Sequence, residues 1–151
     1  MPRKSYTPGD FKLAVRRSRA GLGLFALEAI PKGACIIEYT GRVLTDEEYA
    51  RSRSRYLFDV GKNKVLDGST RANKARYINH SCVPNCEPTI HKGRPFIHAI
   101  RNIKPGEELA YNYGEEYFEH YLKGICRCPK CMPEPAAKAA PAKKGRSRKA
   151  A

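Results

Sequence analysis

Three cysteines stand within six residues, in Cys126-Arg-Cys128-Pro-Lys-Cys131, and they set the tightest demand on the fold. A disulfide between Cys126 and Cys128 would strain the narrow geometry of that bond. Structural zinc takes four ligands in a tetrahedron, so three clustered thiolates call for a fourth from a distant part of the chain. Cys82, Cys86 and Cys35 are the candidates. The opening Met-Pro-Arg-Lys-Ser is not followed by the apolar run of a secretory signal, so the expected compartment is reducing and the cysteines read as thiols or metal ligands. The longest uncharged apolar run, Leu22 to Leu27, falls far short of the ~20 residues that span a bilayer, and no membrane partner is expected.

Upstream of the cluster the pattern favours strands. Phe11 to Val15, Cys35 to Tyr39, Tyr56 to Val60, Arg94 to Ile100 and Glu108 to Tyr113 are short, rich in β-branched or aromatic residues and separated by Gly and Pro turn signals. Thr45-Asp-Glu-Glu48 is a capping box that opens a helix toward Arg51, and Tyr117, Phe118, Tyr121 and Leu122 share one face of a second helix that Gly124 stops. Gly21-Leu22-Gly23 reads on its own as a tight turn, without the spacing of a phosphate loop. The expected fold is a mainly β domain of several small sheets.

Residues 136–151 hold seven Ala and six Lys or Arg with no acid and no large apolar side chain, so this tail is expected to be disordered. It carries part of the charge of +14, which comes from 29 Lys plus Arg against 15 Asp plus Glu and points to acidic partners or basic tails.

Two further segments carry chemistry. Asn79-His80-Ser81-Cys82, with Pro84-Asn85 behind it, packs an amide, an imidazole and a thiol together, yet nothing near it supplies the carboxylate of a hydrolytic triad. Tyr111 and Tyr113, two apart, project from the same face of a strand.

The order Gly21-Leu-Gly23, Glu38-Tyr39-Thr-Gly41, Arg76-Tyr-Ile-Asn79-His80-Ser-Cys82, Glu108-Leu-Ala-Tyr111-Asn-Tyr113 and Cys126-x-Cys128-x-x-Cys131 closely resembles the SET domain of protein lysine methyltransferases followed by a post-SET zinc segment. The resemblance covers about residues 11 to 132. It implies a SET fold of small sheets with a knot-like C-terminal threading, an N-terminal extension (1–10), a SET domain (11–114), a post-SET zinc segment (115–133) and the basic tail (134–151). Three departures stand out: two residues rather than the common four between the last cysteines, Asn112 where Asp is frequent, and no cysteine-rich pre-SET region before Phe11, a flank that self-association into a homodimer could replace.

The resemblance implies an S-adenosylmethionine pocket formed by Ala20, Gly21, Leu22 and Gly23, by Tyr56 and Arg76, and by Asn79 with His80. It implies Tyr113 as the essential tyrosine, Tyr39 and Phe58 as walls of a lysine channel, and Tyr111 as the position that governs how many methyl groups fit, favouring mono- and dimethylation. It assigns a structural zinc to Cys82, Cys126, Cys128 and Cys131, with Cys86 as the replacement candidate. The implied substrate is lysine of a histone or histone-like basic protein. The implied location is intracellular: the nucleus for a eukaryotic or viral source, the cytoplasm or nucleoid for a bacterial one, or a host nucleus for a bacterial effector. The Lys- and Arg-rich tail adds weak, salt-sensitive contact with nucleic acid. A nucleic-acid-binding zinc module without catalysis is the alternative, and it leaves Asn79-His80 and the tyrosine pair without a role.

The acids Glu107, Glu108, Glu115, Glu116 and Glu119 surround the tyrosine strand and could steer a basic peptide, whereas Arg51-Ser-Arg53-Ser-Arg55 opposes them in sign as a solvated helix end or a nucleic-acid-facing patch.

Overall fold

The computed structural model describes residues 4–19 and 21–131. Ala20 and the basic tail, both singled out in the sequence, lie outside the described residues.

Among the described residues, four small sheets carry the domain. β1 (Leu13–Ser18) and β2 (Gly21–Ala26) form an antiparallel hairpin that runs from Leu13 opposite Ala26 to Ser18 opposite Gly21. The Gly21-Leu22-Gly23 segment is therefore strand rather than turn; Leu24 and Ala26, two apart, are fully buried and give β2 its inner face. The first strand begins at Leu13 rather than Phe11, and runs on through the polar Arg16-Arg17-Ser18 because β2 supplies its hydrogen bonds.

β3 (Cys35–Glu38), β8 (Cys86–His91) and β9 (Arg94–Ala99) make an antiparallel sheet with β9 in the centre, and β9 is correspondingly the most buried strand. β4 (Arg42–Val43), β5 (Leu57–Gly61) and β6 (Lys64–Asp67) make another with β6 in the centre. Leu24, Ile30, Ile36, Ile78, Ile97, Ile103 and Leu109 join these sheets in one core.

The last sheet positions the site. β7 (Asn79–His80) pairs in parallel with β10 (Ala110–Tyr111), with Asn79 beside Ala110 and His80 beside Tyr111. Glu108 to Tyr113 thus contributes two residues to a ladder, while Glu108 bridges to Phe25 instead. Around this pair Asn85 acts as a clamp: its side-chain amide donates to the Glu108 carbonyl and its oxygen accepts from the Ala110 N–H, each at 2.9 Å.

The helices are short. α1 (Asp46–Arg51) carries the expected capping box, with Glu48 N–H on Thr45 Oγ1 at 3.1 Å and Thr45 N–H on Glu48 Oε1 at 2.9 Å. α2 (Glu115–Tyr117) is one turn that passes into a π-turn over Phe118–Leu122. The wider turn, closed by Lys123 N–H on the Phe118 carbonyl at 2.8 Å, separates residues that an α-helix would align: Leu122 is buried while Tyr121 stands 55% exposed.

The N-terminal residues lie across the sheet of β3, β9 and β8. Tyr6 stacks on His91 at 3.9 Å, His98 Nε2 donates to the Ser5 carbonyl at 2.7 Å, and Gly9 N–H donates to the Cys35 carbonyl at 2.9 Å.

Candidate active site and metal centre

An aromatic pocket of about 270 Å³ opens where β5, β10 and α2 meet, lined by Tyr39, Tyr56, Phe58, Tyr111, Tyr113 and Tyr117 among others. Its rings form a continuous wall, with centroid separations of 5.1 Å for Tyr39–Phe58, 6.3 Å for Phe58–Tyr111, 5.0 Å for Tyr111–Tyr113 and 5.1 Å for Tyr113–Tyr117. Tyr39 donates its hydroxyl to the Tyr56 carbonyl at 2.8 Å, and Tyr113 donates to the Ile78 carbonyl. Burial raises the phenols of Tyr39, Tyr111 and Tyr113 above their usual value, so each stays protonated at neutral pH and serves as a hydrogen-bonding group, not as a base. Gly68 is required beneath this wall, because a Cβ there would run into the Tyr39 ring.

Arg76 lines the same pocket with its guanidinium 4.4 Å over the Tyr56 ring, and it also donates to the Ser69 carbonyl. Tyr56 and Arg76 are therefore brought together with Tyr39 and Phe58, on the aromatic side of the site.

A larger cleft of about 540 Å³ lies on the other side of β7 and β10. Asn79 and His80 line it, together with Ser18, Arg19, Phe25, Glu108 and residues 126–129. Of the Gly21–Gly23 segment, the Leu22 carbonyl reaches Asn79, accepting from its side-chain amide at 2.9 Å. The same amide donates to Glu108 Oε2 at 2.9 Å, and the Ser18 hydroxyl lies 2.9 and 2.8 Å from the two Glu108 oxygens. A Cβ on Gly23 would overlap this carboxylate and come within 2.9 Å of the Ser18 Cβ, so the close approach of Glu108 makes glycine necessary there. The cleft has the size of a small-molecule site and holds a carboxylate suited to a cationic ligand.

His80, in the lining of the cleft, is bonded to Tyr113, in the lining of the aromatic pocket. Its Nδ1 accepts from the Tyr113 N–H at 3.0 Å, which leaves the proton of the neutral ring on Nε2, 3.3 Å from Cys82 Sγ. Burial lowers its pKa, so the ring is neutral at physiological pH.

Cys82, Cys126, Cys128 and Cys131 bring their sulfurs within 4.8 Å of one another. Zinc–sulfur bonds of about 2.3 Å place tetrahedral sulfurs about 3.8 Å apart, so small shifts suffice to hold the ion. Burial works to raise the Cys128 thiol, but N–H groups of Cys82, Cys131 and Lys130 and the Cys126 thiol bring it down to about 6, a predisposition to thiolate. The two-residue spacing before Cys131 closes this cluster without an extra loop. Cys86 and Cys35 are buried elsewhere; Cys86 donates to Asn85 Oδ1 and belongs to the core rather than the ligand set.

The SET domain profile matches residues 21–114. The chain belongs to the SET domain family. Among curated SET relatives, it is 41% identical over 120 residues to the "Histone-lysine N-methyltransferase, H3 lysine-4 specific" of Chaetomium globosum, across 71% of this chain and 11% of that one. It thus spans about a tenth of that relative's length. Solved SET structures superpose as well. ctPRC2 in an autoinhibited conformation bound to S-adenosylmethionine matches with TM-score 0.64 at 34% identity, over 70% of this chain and 15% of that one. KRYPTONITE in complex with mCHH DNA, H3(1-15) peptide and SAH matches with TM-score 0.63 at 32% identity, over 75% and 25%.

Within this SET domain, Asn112 fills the place of the frequent Asp by the same turn chemistry, its Oδ1 accepting from the Gly114 N–H at 2.8 Å. Sequence reasoning missed Glu108, Ser18 and Tyr117 as site residues. Glu108 looked like one acid of a cluster; its partners come from strands 90 and 29 residues away, a pairing no local pattern carries. Tyr117 was legible only as a helix-face aromatic, although its position five residues after Tyr111-Asn112 could have marked it.

Proposed function

We propose that this SET domain is an S-adenosylmethionine-dependent protein lysine N-methyltransferase that acts on a histone or histone-like basic protein. The observation that carries the proposal is a pair of cavities on either side of the His80–Tyr113 hydrogen bond: a cleft with Asn79, His80 and Glu108 in its lining, and an aromatic pocket fit for an alkyl chain with Tyr113 in its lining. Solved relatives hold S-adenosylmethionine, SAH and an H3 peptide, which supports a domain that takes both a cofactor and a peptide.

Bound S-adenosylmethionine supplies an electrophilic methyl group. The chain's own task is to deliver a neutral amine in line with it. A lysine of pKa ≈ 10.4 sits ~3.4 units from neutrality at pH 7, a cost of roughly 4.6 kcal/mol. The aromatic walls of Tyr39, Phe58, Tyr111 and Tyr113 lower that cost by desolvating the ammonium, and the phenols, held protonated, cannot take its proton, which leaves to water. Tyr113, fixed at its N–H by His80 and at its hydroxyl by the Ile78 carbonyl, orients the amine. Transfer of that methyl group would form a C–N bond at the amine nitrogen as the S–C bond breaks and leave S-adenosylhomocysteine, while Tyr113 and the aromatic walls hold the amine in line. A zinc ion on the four thiols would brace residues 126–129 against the cleft. The basic tail supports weak, salt-sensitive contact with nucleic acid.

Transfer of labelled methyl to a panel of histones, bacterial basic proteins and the enzyme itself, resolved by mass spectrometry, tests the proposal. Label on lysine that Tyr113→Phe abolishes supports it. Absence of both transfer and cofactor binding, with tail-dependent DNA binding present, would replace it with a nucleic-acid-binding zinc module.

A further inference from the structure

A groove of about 840 Å³ runs beside the aromatic pocket and shares Arg55, Leu57, Asp59, Tyr113 and Tyr117 with it, so the two are continuous. One wall is the segment after α1, carrying Arg53 and Arg55; the other is α2, carrying Glu115 and Glu116. Among the described residues none of these four makes an ion pair. Three exposed arginines elsewhere do pair with carboxylates, Arg42 with Glu48, Arg94 with Glu38 and Arg101 with Glu107, at 2.8 to 2.9 Å, which shows the geometry that the groove residues do not adopt with one another. In the groove, side chains of both signs line one cavity without pairing.

Resting on the methyltransferase reading above, we infer that the groove takes a peptide of mixed charge, in which the target lysine has a carboxylate-bearing side chain on the Arg53/Arg55 side and a cationic one on the Glu115/Glu116 side. A uniformly basic segment would meet like charge along the arginine wall, and that repulsion discriminates against it. Arg55 stands at the lip shared by groove and pocket, where its charge also favours the neutral form of the entering amine. Asp59 lies on the same lip, but its carboxylate is engaged by the Gly61 N–H at 2.9 Å. The acidic run, expected to steer a basic peptide, and the arginine run that opposes it in sign thereby become the two halves of one recognition surface.

The test compares kcat/KM for three peptides that share a central lysine: acid before and base after, the reverse order, and base on both sides. Wild-type protein is set against the double variant Arg53→Glu/Arg55→Glu, with cofactor affinity by calorimetry as the check that the fold is intact. Wild type is expected to favour one mixed peptide over the all-basic one by about tenfold, mostly through KM, and the variant to reverse that ranking. Equal use of the three peptides by wild type, or an unchanged ranking in the variant, overturns this inference and leaves the methyltransferase reading standing. Failure of every peptide, and of whole proteins, removes that reading and this one with it. A variant that loses DNA binding while keeping its peptide ranking would show that the arginines face nucleic acid, which also overturns the inference.

Discussion

The backbone N–H of Tyr113 donates to Nδ1 of His80 at 3.0 Å, and through this bond the segment bearing Tyr113 is tied to the segment bearing Cys82. Replacing His80 with Ala leaves that N–H without its acceptor in a half-buried setting, a loss of about 1–3 kcal/mol. Thermal or urea unfolding should register that loss, and kcat should fall more than cofactor affinity, since Tyr113 is the group released.

Glu108 organises the cleft by accepting from Ser18 and Asn79. Glu108→Ala removes both bonds and should weaken S-adenosylmethionine binding by about tenfold or more, read by calorimetry. Gly23→Ala should act at the same point from the opposite direction, its Cβ displacing the carboxylate and destabilising the hairpin by about 1–3 kcal/mol. A Gly23→Ala protein with wild-type affinity and stability would argue against this account.

Tyr111 is 6% exposed, and no group among the described residues bonds its hydroxyl, which leaves that hydroxyl to hold water or amine and to restrict the space for methyl groups. Tyr111→Phe is expected to shift the products toward trimethyl-lysine, measured as the ratio of methyl states by mass spectrometry. Ready trimethylation by wild type, unchanged by the substitution, would contradict it.

Purified protein should contain one zinc per chain. Cys131→Ser should lower that occupancy and, because residues 126–129 line the cleft, weaken cofactor binding as well. Cys86→Ala should leave the zinc content unchanged, since Cys86 lies in the core.

Stability should fall at alkaline pH in two stages. Burial pushes the Cys86 thiol up to about 12 from an ordinary 9, and it raises Tyr111 and Tyr113 well above 10. A group whose folded pKa is raised contributes stability that is complete below its unfolded value and is lost as pH rises toward the folded one. Urea midpoints should therefore begin to drop near pH 9 and drop more steeply above 10. Cys86→Ala should shrink the first stage without touching the second, and the Cys35 thiol, raised by burial and by Glu38, supplies part of what remains.

Much of the site was legible because its residues recur in short, ordered motifs: Asn79-His80, Tyr111-x-Tyr113 and the three clustered cysteines each announce themselves locally. The fold was less legible where tertiary pairing overrides local preference. The glycines of β2 look like a turn until β1 supplies a ladder, and Leu24 and Ala26 need a core to reveal an inner face. β7 and β10 are two residues each and parallel, too short to leave a periodic trace. The choice between Cys82 and Cys86 depended on which thiol is buried in β8, a matter of packing rather than spacing. The π-turn after α2 broke the face that helical periodicity assigned to Tyr121.

The pairing of β7 with β10 also governs when the protein can first work. The ladder joins residues 31 apart, the Ser18–Glu108 bonds close a separation of 90, and the Cys82–Cys131 contact closes one of 49. Contacts of such range form slowly, because the loops between them must be ordered before any contact repays it. A nascent chain still short of Cys131 on the ribosome has neither a complete cleft nor a complete thiol cluster, and so has nothing with which to capture its cofactor. Competence should arrive only once residues 126–131 have been added, and a chain truncated before them should be inert rather than partly active.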